Sequence, residues 1–260
     1  MTMHTESSTT DQALENHLAE ADYTRRRLYP SRFDLDYLML TDLRALVATF
    51  ADSVTGKLLD FGCGGAPYRP LFTKCDAYHG ADITPGSDID YVIQKDGTLD
   101  ELDDVFDAVL SSQVLEHVTQ PDQYLRECHR VLKPGGRMLV STHGMFVEHA
   151  CPHDYTRWTG TGIKALLEDS GFDVVQTYKL TTDARAAIQT QHYLMLNWRT
   201  PSRGATRVLN GIVRRLYAWL LRPLLNVLGA ATRNCSVVEA TSPSNLYVGV
   251  AALVTKPVTR

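Results

Sequence analysis

The sequence predicts an α/β fold in which helices flank a parallel, doubly wound sheet. Three observations predict it. Apolar runs of strand length recur along the middle of the chain, and the first of them breaks into a glycine-rich turn. Stretches of helical pattern separate these runs, starting at proline or threonine and ending near glycine. The length of 260 residues and the hydrophobic content of 44% suit one such domain with additions.

The glycine-rich turn follows the first predicted strand, Lys57–Phe61. Gly62 and Gly64 allow a sharp turn and a close approach to a ligand, because neither residue has a Cβ atom. Asp82 closes the next apolar run, about 20 residues after the first glycine, the usual interval for an acid that accepts hydrogen bonds from ribose hydroxyls. We therefore expect a nucleotide-like ligand at the carboxyl end of the first strand.

Two later segments decide which ligand is expected. Phe106-Asp-Ala-Val-Leu-Ser-Ser-Gln-Val-Leu-Glu-His-Val118 and Val131-Leu-Lys-Pro-Gly-Gly-Arg-Met-Leu-Val140 follow in order. With Asp60-Phe-Gly-Cys-Gly64 they resemble the motifs of class I S-adenosylmethionine-dependent methyltransferases, over roughly residues 55 to 180. The alternative is a nicotinamide-dependent Rossmann enzyme, but Pro67 stands where the third glycine of its fingerprint belongs.

The resemblance implies a Rossmann-like sheet of seven strands whose last strand is antiparallel. We place the strands at Lys57–Phe61, Ala77–Ala81, within Asp88–Gly97, Phe106–Leu110, Arg137–Ser141, Phe172–Leu180 and Ser244–Thr255. We place helices at Asp11–Arg27, Leu35–Phe50, Tyr68–Phe72, Pro121–Leu132 and Gly160–Ser170. Thr159 is expected to cap the last of these helices.

Four parts of the chain are expected. A helical N-terminal extension, 1–50, precedes the cofactor-binding core, 51–180, and a helical insertion, 181–243, precedes the last strand in 244–260. The first ten residues are rich in Ser and Thr, so we expect them to be disordered. The extension either folds over the ligand or simply packs on the sheet, and the sequence leaves both interpretations open.

The resemblance also implies that S-adenosylmethionine is the cofactor and S-adenosylhomocysteine the product. The residues predicted to hold it are Asp60, Gly62, Cys63, Gly64, Asp82, Asp96, Gly97 and Gln113. In the family, an acid at the position of Asp96 commonly receives the adenine amino group, although a turn aspartate without a ligand is the alternative. Gln113 is expected near the reacting sulfur. Glu116 and His117 either face the cofactor or stand behind it.

A histidine-rich loop should follow the fifth strand. Its ending, His153-Asp-Tyr-x-Arg157-aromatic-Thr159, is similar to a loop in a type-11-like bacterial subgroup of these methyltransferases. Many members of that subgroup accompany cell-surface glycan or specialised-metabolite pathways. Trp158 and Tyr155 are expected to wall the acceptor pocket. A loop with only a structural role is the alternative.

This loop supplies the predicted catalytic residues. A hydroxyl acceptor must lose a proton, and a histidine near its ordinary pKa of about 6.5 suits that task. We predict His149 or His153 as the general base, with Asp154 to orient it or to serve another imidazole. Arg157 is predicted to bind an anionic group of the acceptor.

The predicted function is methyl transfer to a small molecule, with a hydroxyl oxygen of a specialised metabolite or sugar favoured. Three alternatives remain: a nitrogen or carbon acceptor, a lipid-linked cell-surface glycan, and a non-catalytic cofactor-binding partner subunit. No metal is predicted, since no tight ligand spacing supports one, and a divalent cation held by the His and Asp residues of the loop is the alternative. Nucleic acid is not an expected partner, because the net charge is −4 and Ser111-Ser-Gln-Val replaces the signature of base amino methylation.

The insertion carries a basic helical pattern from Arg207 to Leu228, which Pro223 should kink or divide. Its basic residues recur on one helix face: Arg207, Arg214, Arg215 and Arg222. An anionic membrane surface, a homodimer interface and a lid over the pocket all fit this pattern. The wide apolar arc favours burial against protein.

A cytoplasmic location is expected. The five cysteines lack the spacing of a metal knuckle and are odd in number, as in reduced proteins. Met1 to Thr10 is polar, so no secretory signal is expected. No apolar run reaches the ~18–20 residues that span a bilayer.

Overall fold

The computed structural model describes residues 21–94, 96–100, 103–149, 153–197 and 205–258. The predicted disordered start, and the part of the first predicted helix before residue 21, lie outside these ranges. Eight strands form one sheet: β1 Lys57–Phe61, β2 Ala77–Asp82, β3 Tyr91–Val92, β4 Phe106–Ser112, β5 Leu132–His143, β6 Asp173–Thr182, β7 Val237–Glu239 and β8 Tyr247–Thr255. Their order across the sheet is β3-β2-β1-β4-β5-β8-β6-β7.

The first five strands are parallel. β1 pairs with β2 and β4, while β3 and β5 extend the sheet on either side. Their apolar residues are buried on both faces, which explains why β1 is a nearly continuous hydrophobic run with the predicted bounds. Because these strands are parallel, their carboxyl ends meet at one edge of the sheet.

The remaining strands are antiparallel to their neighbours. β8 pairs with both β5 and β6, which confirms the prediction of an antiparallel last strand. The sheet has one strand more than the seven predicted, and the additional strand is β7. It lies within the predicted helical insertion and pairs with Tyr178–Leu180 of β6. A strand of three residues is too short to show an alternating pattern in the sequence.

Several predicted bounds were wrong at the ends of elements. β5 begins at Leu132 rather than Arg137, because Leu132 already pairs with Phe106 of β4, and Gly135 and Gly136 exchange backbone hydrogen bonds with Lys256. The third strand is reduced to Tyr91–Val92. The predicted helix at Tyr68–Phe72 is a short 3-10 turn, Arg69–Leu71.

Helices cover both faces of the sheet. Residues 21–28 are helical (α1), and the other helices are α2 Tyr37–Ala51, α3 Pro121–Val131, α4 Gly160–Asp169, α5 Asp183–Asn197, α6 Ala205–Leu216 and α7 Arg222–Ala231. One hydrophobic cluster joins α3 and α4 to the sheet, and a second cluster joins α2 to the other face. The Thr159 hydroxyl accepts a hydrogen bond from the Gly162 amide at 3.0 Å, as predicted for the cap of α4.

Three of these helices, α5, α6 and α7, lie in the described part of the insertion, and a π-helical turn, Tyr217–Leu221, joins α6 to α7. The turn ends just before Pro223, where the sequence predicted an interruption, since proline has no amide hydrogen to continue the helix. Asn226 of α7 bonds to His192 of α5 at 2.9 Å and to the Arg32 carbonyl at 2.8 Å. Within the described ranges, no helix combines the length and the apolarity that crossing a bilayer requires.

Candidate active site

The predicted site residues gather at the carboxyl ends of the parallel strands. Gly62 and Gly64 follow β1, Asp82 ends β2 and Gln113 follows β4; at the same edge, His143 ends β5. In doubly wound sheets this edge is where ligands bind. The site has two halves, a glycine turn at β1–β2 and a histidine cluster at β4–β5.

The glycine turn requires its glycines. Gly62 has a φ of +81°, and a Cβ atom there would lie 2.6 Å from Cγ1 of Val114. The amides of Gly62 and Cys63 both donate to the Ala81 carbonyl, at 2.8 and 3.0 Å, which fixes the turn against β2. The side chain of Cys63 is buried, so only its backbone belongs to the surface of the turn.

The two predicted acids of this half differ in position. Asp82 accepts a hydrogen bond from the Gly64 amide at 2.8 Å and is only partly buried, so it stands at the opening of the turn. Asp60 is 2% exposed and accepts a hydrogen bond from the Tyr78 hydroxyl. Burial raises the pKa of Asp60 to about 7, against the lowering effect of the Tyr78 bond. Asp60 therefore lies behind the turn rather than at its opening.

Asp96 lies in an exposed turn. Its carboxylate accepts hydrogen bonds from the amide and hydroxyl of Thr98, at 3.1 and 2.7 Å, and these bonds lower the pKa of Asp96. Gly97 follows with a φ of +85° and open space around its Cβ position. The geometry is that of the turn aspartate considered as the alternative, although the second carboxylate oxygen stays available to a ligand.

Gln113 carries two marks of a ligand-binding residue. Its φ of +57° is unusual for a residue other than glycine, and its backbone amide donates to the Ser141 carbonyl at 2.9 Å. Its side-chain oxygen is buried and has no hydrogen-bond partner among the described residues. This oxygen and the Asp82 carboxylate fit a cofactor that presents amino and ribose hydroxyl donors.

The N-terminal extension reaches the glycine turn, a contact that the sequence did not predict in detail. Tyr23 of α1 places its hydroxyl 3.6 Å from the position that a Cβ of Gly64 would take. The Arg27 guanidinium lies 4.3 Å from the centre of the Tyr23 ring. These contacts support the interpretation in which the extension covers the ligand.

The histidine cluster is built around a buried carboxylate. The Glu116 side chain is fully buried and accepts a hydrogen bond from the Thr142 hydroxyl at 2.8 Å, and its other oxygen lies 3.3 Å from Nε2 of His143. Burial raises the pKa of Glu116 and lowers the pKa of His143 well below its ordinary value. The imidazole of His117 lies within 5.0 Å of that of His149, measured between ring centres.

Of the two predicted bases, His149 is the one beside a carboxylate. Its Nδ1 lies 3.2 Å from Oδ2 of Asp154, and its amide donates to the same oxygen at 2.9 Å. The side chain of His153 is exposed, and its carbonyl contacts Nδ1 of His117 at 2.5 Å. Burial lowers the pKa of His149, so its neutral form is favoured at neutral pH.

Arg157 binds within the loop. Its guanidinium donates two hydrogen bonds to Asp154 and further bonds to the carbonyls of Phe146 and Val147, at 3.3 and 2.8 Å. The two hydrogen bonds from Arg157 to Asp154 hold the pKa of Asp154 well below its usual range, so Asp154 stays ionised beside His149. The structure thus gives Arg157 a positioning role, while binding of an acceptor anion stays a prediction.

An apolar cavity of about 170 Å³ adjoins the cluster. Its lining residues are Met145, Phe146, Val147, Gln189, Thr190, Tyr193 and Val248. The ring of Phe146 stacks on His143, with centres 3.9 Å apart, and meets Tyr193 of α5 edge-on. The predicted wall residues lie elsewhere, since Tyr155 is exposed and Trp158 packs against the core. Tyr193 was not predicted because nothing in its local sequence distinguishes it from a packing residue.

A group able to hold a metal ion is present among the described residues. Glu116, His143 and His149 offer ligand atoms that all lie within 4.8 Å of one another. Imidazole and carboxylate together suit divalent transition metals. Sequence spacing gave no sign of this group because its members come from three separate segments. Oε1 of Glu116, Nδ1 of His143 and Nδ1 of His149 are buried and have no hydrogen-bond partner among the described residues, although Glu116 lies 3.3 Å from His143 and His149 lies 3.2 Å from Asp154.

Comparisons with known proteins bear on this architecture. A sequence model described as a methyltransferase domain matches residues 35–177, more than half of the chain. A ubiquinone biosynthesis O-methyltransferase of Pseudomonas aeruginosa is 30% identical over 130 residues, which cover 41% of this chain and 54% of the relative. A protein of the same name from Ruegeria pomeroyi is 37% identical over 100 residues, covering 33% and 40%. The chain therefore spans about half, or less than half, of the length of the curated relatives that it matches.

Among solved structures, the cyclase SpnF resembles this fold with a TM-score of 0.52, over 86% of this chain and 83% of that protein. The two sequences are 17% identical, so the likeness concerns the fold alone. The family match covers both halves of the site up to Arg157, Trp158 and α4. On that match and on its sheet topology, the chain belongs to the class I S-adenosylmethionine-dependent methyltransferases, as its motifs predicted.

Proposed function

We propose that the protein transfers a methyl group from S-adenosylmethionine to a hydroxyl oxygen of a small-molecule acceptor. The observation that carries this proposal is the 3.2 Å contact between His149 and Asp154 beside the cofactor edge of the sheet. A base is needed for a hydroxyl acceptor and is less needed for an amine, which attacks through a free electron pair. The relatives that are named O-methyltransferases support the same choice of atom.

The residues of the chain divide the work between holding and deprotonating. S-adenosylmethionine, when bound, supplies a methyl group on a sulfonium, and its sulfur leaves as a neutral thioether. The glycine turn, Asp82 and Gln113 would hold it so that the acceptor oxygen, the methyl carbon and the sulfur stand in line. Nε2 of His149 would take the hydroxyl proton of the acceptor as the methyl group moves to the acceptor oxygen. Asp154 keeps the other proton on Nδ1 and stabilises the imidazolium.

The acceptor is proposed to carry an aromatic or other apolar ring. The cavity of about 170 Å³ beside the cluster is lined mainly by apolar side chains. A dry cavity of about 150 Å³ is large enough for a benzene ring. Phe146 joins the two features, because it lines the cavity and stacks on His143. A phenolic hydroxyl, with a pKa near 10 in water, is also within reach of a histidine base.

Methyl transfer to a panel of phenols, sugars and amines tests the proposal. We expect release of S-adenosylhomocysteine with phenols, and mass spectrometry of the product should place the methyl group on oxygen. A product methylated on nitrogen or carbon would contradict it. Cofactor binding by calorimetry without turnover of any acceptor would favour the partner-subunit alternative. The reaction should survive a chelator, whereas loss that added metal restores would assign the group of Glu116, His143 and His149 to metal binding.

A further inference from the structure

Helix α6 and the π-helical turn after it expose a row of large apolar side chains. We call this row the α6 strip: Val208, Leu209, Ile212, Val213, Leu216, Trp219 and Leu220. Each of these side chains is between 45% and 72% exposed, and Trp219 is the most exposed of them. The spacing of one, three and four residues places the members on one side of the helix. Monomeric soluble proteins rarely expose a contiguous apolar surface of this kind without a partner for it.

The faces of α6 beside the strip are cationic. Arg207, Arg214 and Arg215 are exposed there, and Arg214 ties the helix to the end of α5 through the Leu196 carbonyl at 2.8 Å. Between Asp183 and Glu239 the sequence holds eight arginines and no acidic residue. The rest of the protein is acidic, since the whole chain has a net charge of −4. Positive charge is therefore concentrated in the segment that also carries the exposed apolar row.

We propose that the α6 strip docks on the surface of an anionic lipid bilayer. An apolar row bounded by arginines matches a surface whose interior is hydrocarbon and whose headgroups carry negative charge. Trp219 is suited to the level of the headgroups, because its ring is apolar and its indole N–H can meet water or phosphate. The helix would lie in the plane of the interface. This contact is independent of the acceptor that the active site takes.

The structure argues against the other two interpretations of the insertion. A lid would turn the α6 strip toward the active site, but these side chains face solvent. In a symmetric dimer the same surface of both copies is shared, so the arginines of two segments would meet. That segment contains no carboxylate to neutralise them. A bilayer supplies both the hydrocarbon and the negative charge.

Sedimentation with lipid vesicles tests the proposal on the full chain. Vesicles of phosphatidylcholine mixed with phosphatidylglycerol are compared with vesicles of phosphatidylcholine alone. We expect binding to the mixed vesicles only, weakened by added salt, together with a blue shift of the fluorescence that is lost in Trp219→Phe. Leu220→Ser and Arg215→Glu should each lower binding by about tenfold. Val175→Ser on β6 and Lys164→Glu on α4 are the matched controls and should bind like the wild type.

The same samples decide against the proposal if it is wrong. Analytical ultracentrifugation without lipid measures the oligomeric state, and circular dichroism confirms that each variant is folded. A wild type that ignores vesicles and forms a dimer that Leu220→Ser dissociates would assign the α6 strip to a second copy. A monomer that ignores both kinds of vesicle would also overturn the proposal, as would equal loss of binding in the control variants.

Discussion

The two halves of the site differ in how the chain builds them. In the glycine turn, the parts come from β1, β2 and the link between them, and the contacts run mainly through the backbone. In the histidine cluster, the parts come from the segment after β4, the end of β5 and the following loop, and the contacts run through side chains. The first half depends on conformation, and the second depends on buried charge.

This difference also appears in the buried titratable groups. Behind the glycine turn, burial raises the pKa of Asp60 to about 7. In the cluster, burial lowers the pKa of His143, so that histidine stays neutral at neutral pH. In both groups the same physical cause, the cost of charge away from water, favours the uncharged form, yet the two pKa values move in opposite directions. Substitutions in the glycine turn and in the histidine cluster test this comparison separately.

The largest effect is expected in the cluster. His149→Ala removes the proposed base and should lower kcat by about 10²–10⁴-fold with a hydroxyl acceptor. His153→Ala tests the second predicted base and should have a much smaller effect, and His129→Ala on α3 is the control away from the site. In the wild type, kcat should rise with pH while His149 loses its proton, and then level off. Burial lowers the pKa of His149, so this rise should be centred below the ordinary histidine value.

A pH profile recorded on both variants distinguishes catalysis from structure. If His149→Ala keeps the full rate, or if its rate falls while the dependence of kcat on pH is unchanged, the base is another group. Asp154→Asn should lower kcat with little change in KM for the cofactor, because Asp154 contacts the imidazole and not the glycine turn.

The next effect concerns the glycine turn. Gly62→Ala places a methyl group 2.6 Å from Val114 and keeps an unfavourable φ, so the turn and the Gln113 segment must move apart. We expect the affinity for S-adenosylhomocysteine to fall by about 100-fold. Gly135→Ala is the matched control, with a φ of +77° but only Val258 at 3.4 Å from the new Cβ, at the other end of the sheet. It should lose about 1 kcal/mol of stability and keep its affinity, as measured by unfolding and calorimetry.

A smaller effect separates the two acids that were predicted to bind the cofactor. Asp82→Ala removes the acceptor of the Gly64 amide and a proposed partner of the ribose, so the affinity for S-adenosylhomocysteine should fall by about tenfold or more. Asp96→Ala removes an exposed carboxylate that holds its own turn through Thr98. We expect Asp96→Ala to lower the affinity for S-adenosylhomocysteine by about threefold or less. An equal loss in the two variants would show that Asp96 also contributes to cofactor binding, as the resemblance implied.

What the sequence could predict follows the same division. The turn at Gly62, the acid at Asp82 and the position of Gln113 were predicted because each follows a strand at a fixed place along the chain. The contacts of Glu116 with His143, and of His149 with Asp154, could not be predicted. They depend on how the loop after β5 folds back over the end of β4, and the Arg157 bonds to Phe146 and Val147 fix that path. The exposure of α6 was not predicted, because its wide apolar arc favoured burial against protein.

The last effect concerns Asp60 and the stability of the fold rather than catalysis or cofactor affinity. A folded-state pKa of about 7, above the ordinary aspartate value of about 3.9, means that the folded protein holds a proton there that the unfolded chain releases. This contribution to stability is complete below about pH 4 and is lost as the pH rises through about 7. Asp60→Asn keeps an acceptor for the Tyr78 hydroxyl but cannot titrate.

As the pH rises from about 5 to about 8, the wild type should lose stability relative to Asp60→Asn. The difference between their free energies of unfolding should change by at most about 1.4 kcal/mol per pH unit. Urea unfolding across this range measures the difference. Tyr78→Phe sharpens the test, because the Tyr78 bond lowers the pKa of Asp60 and its loss should move the window to higher pH. If the two free energies stay parallel at every pH, Asp60 is already ionised in the folded protein across this range, and burial does not hold its proton.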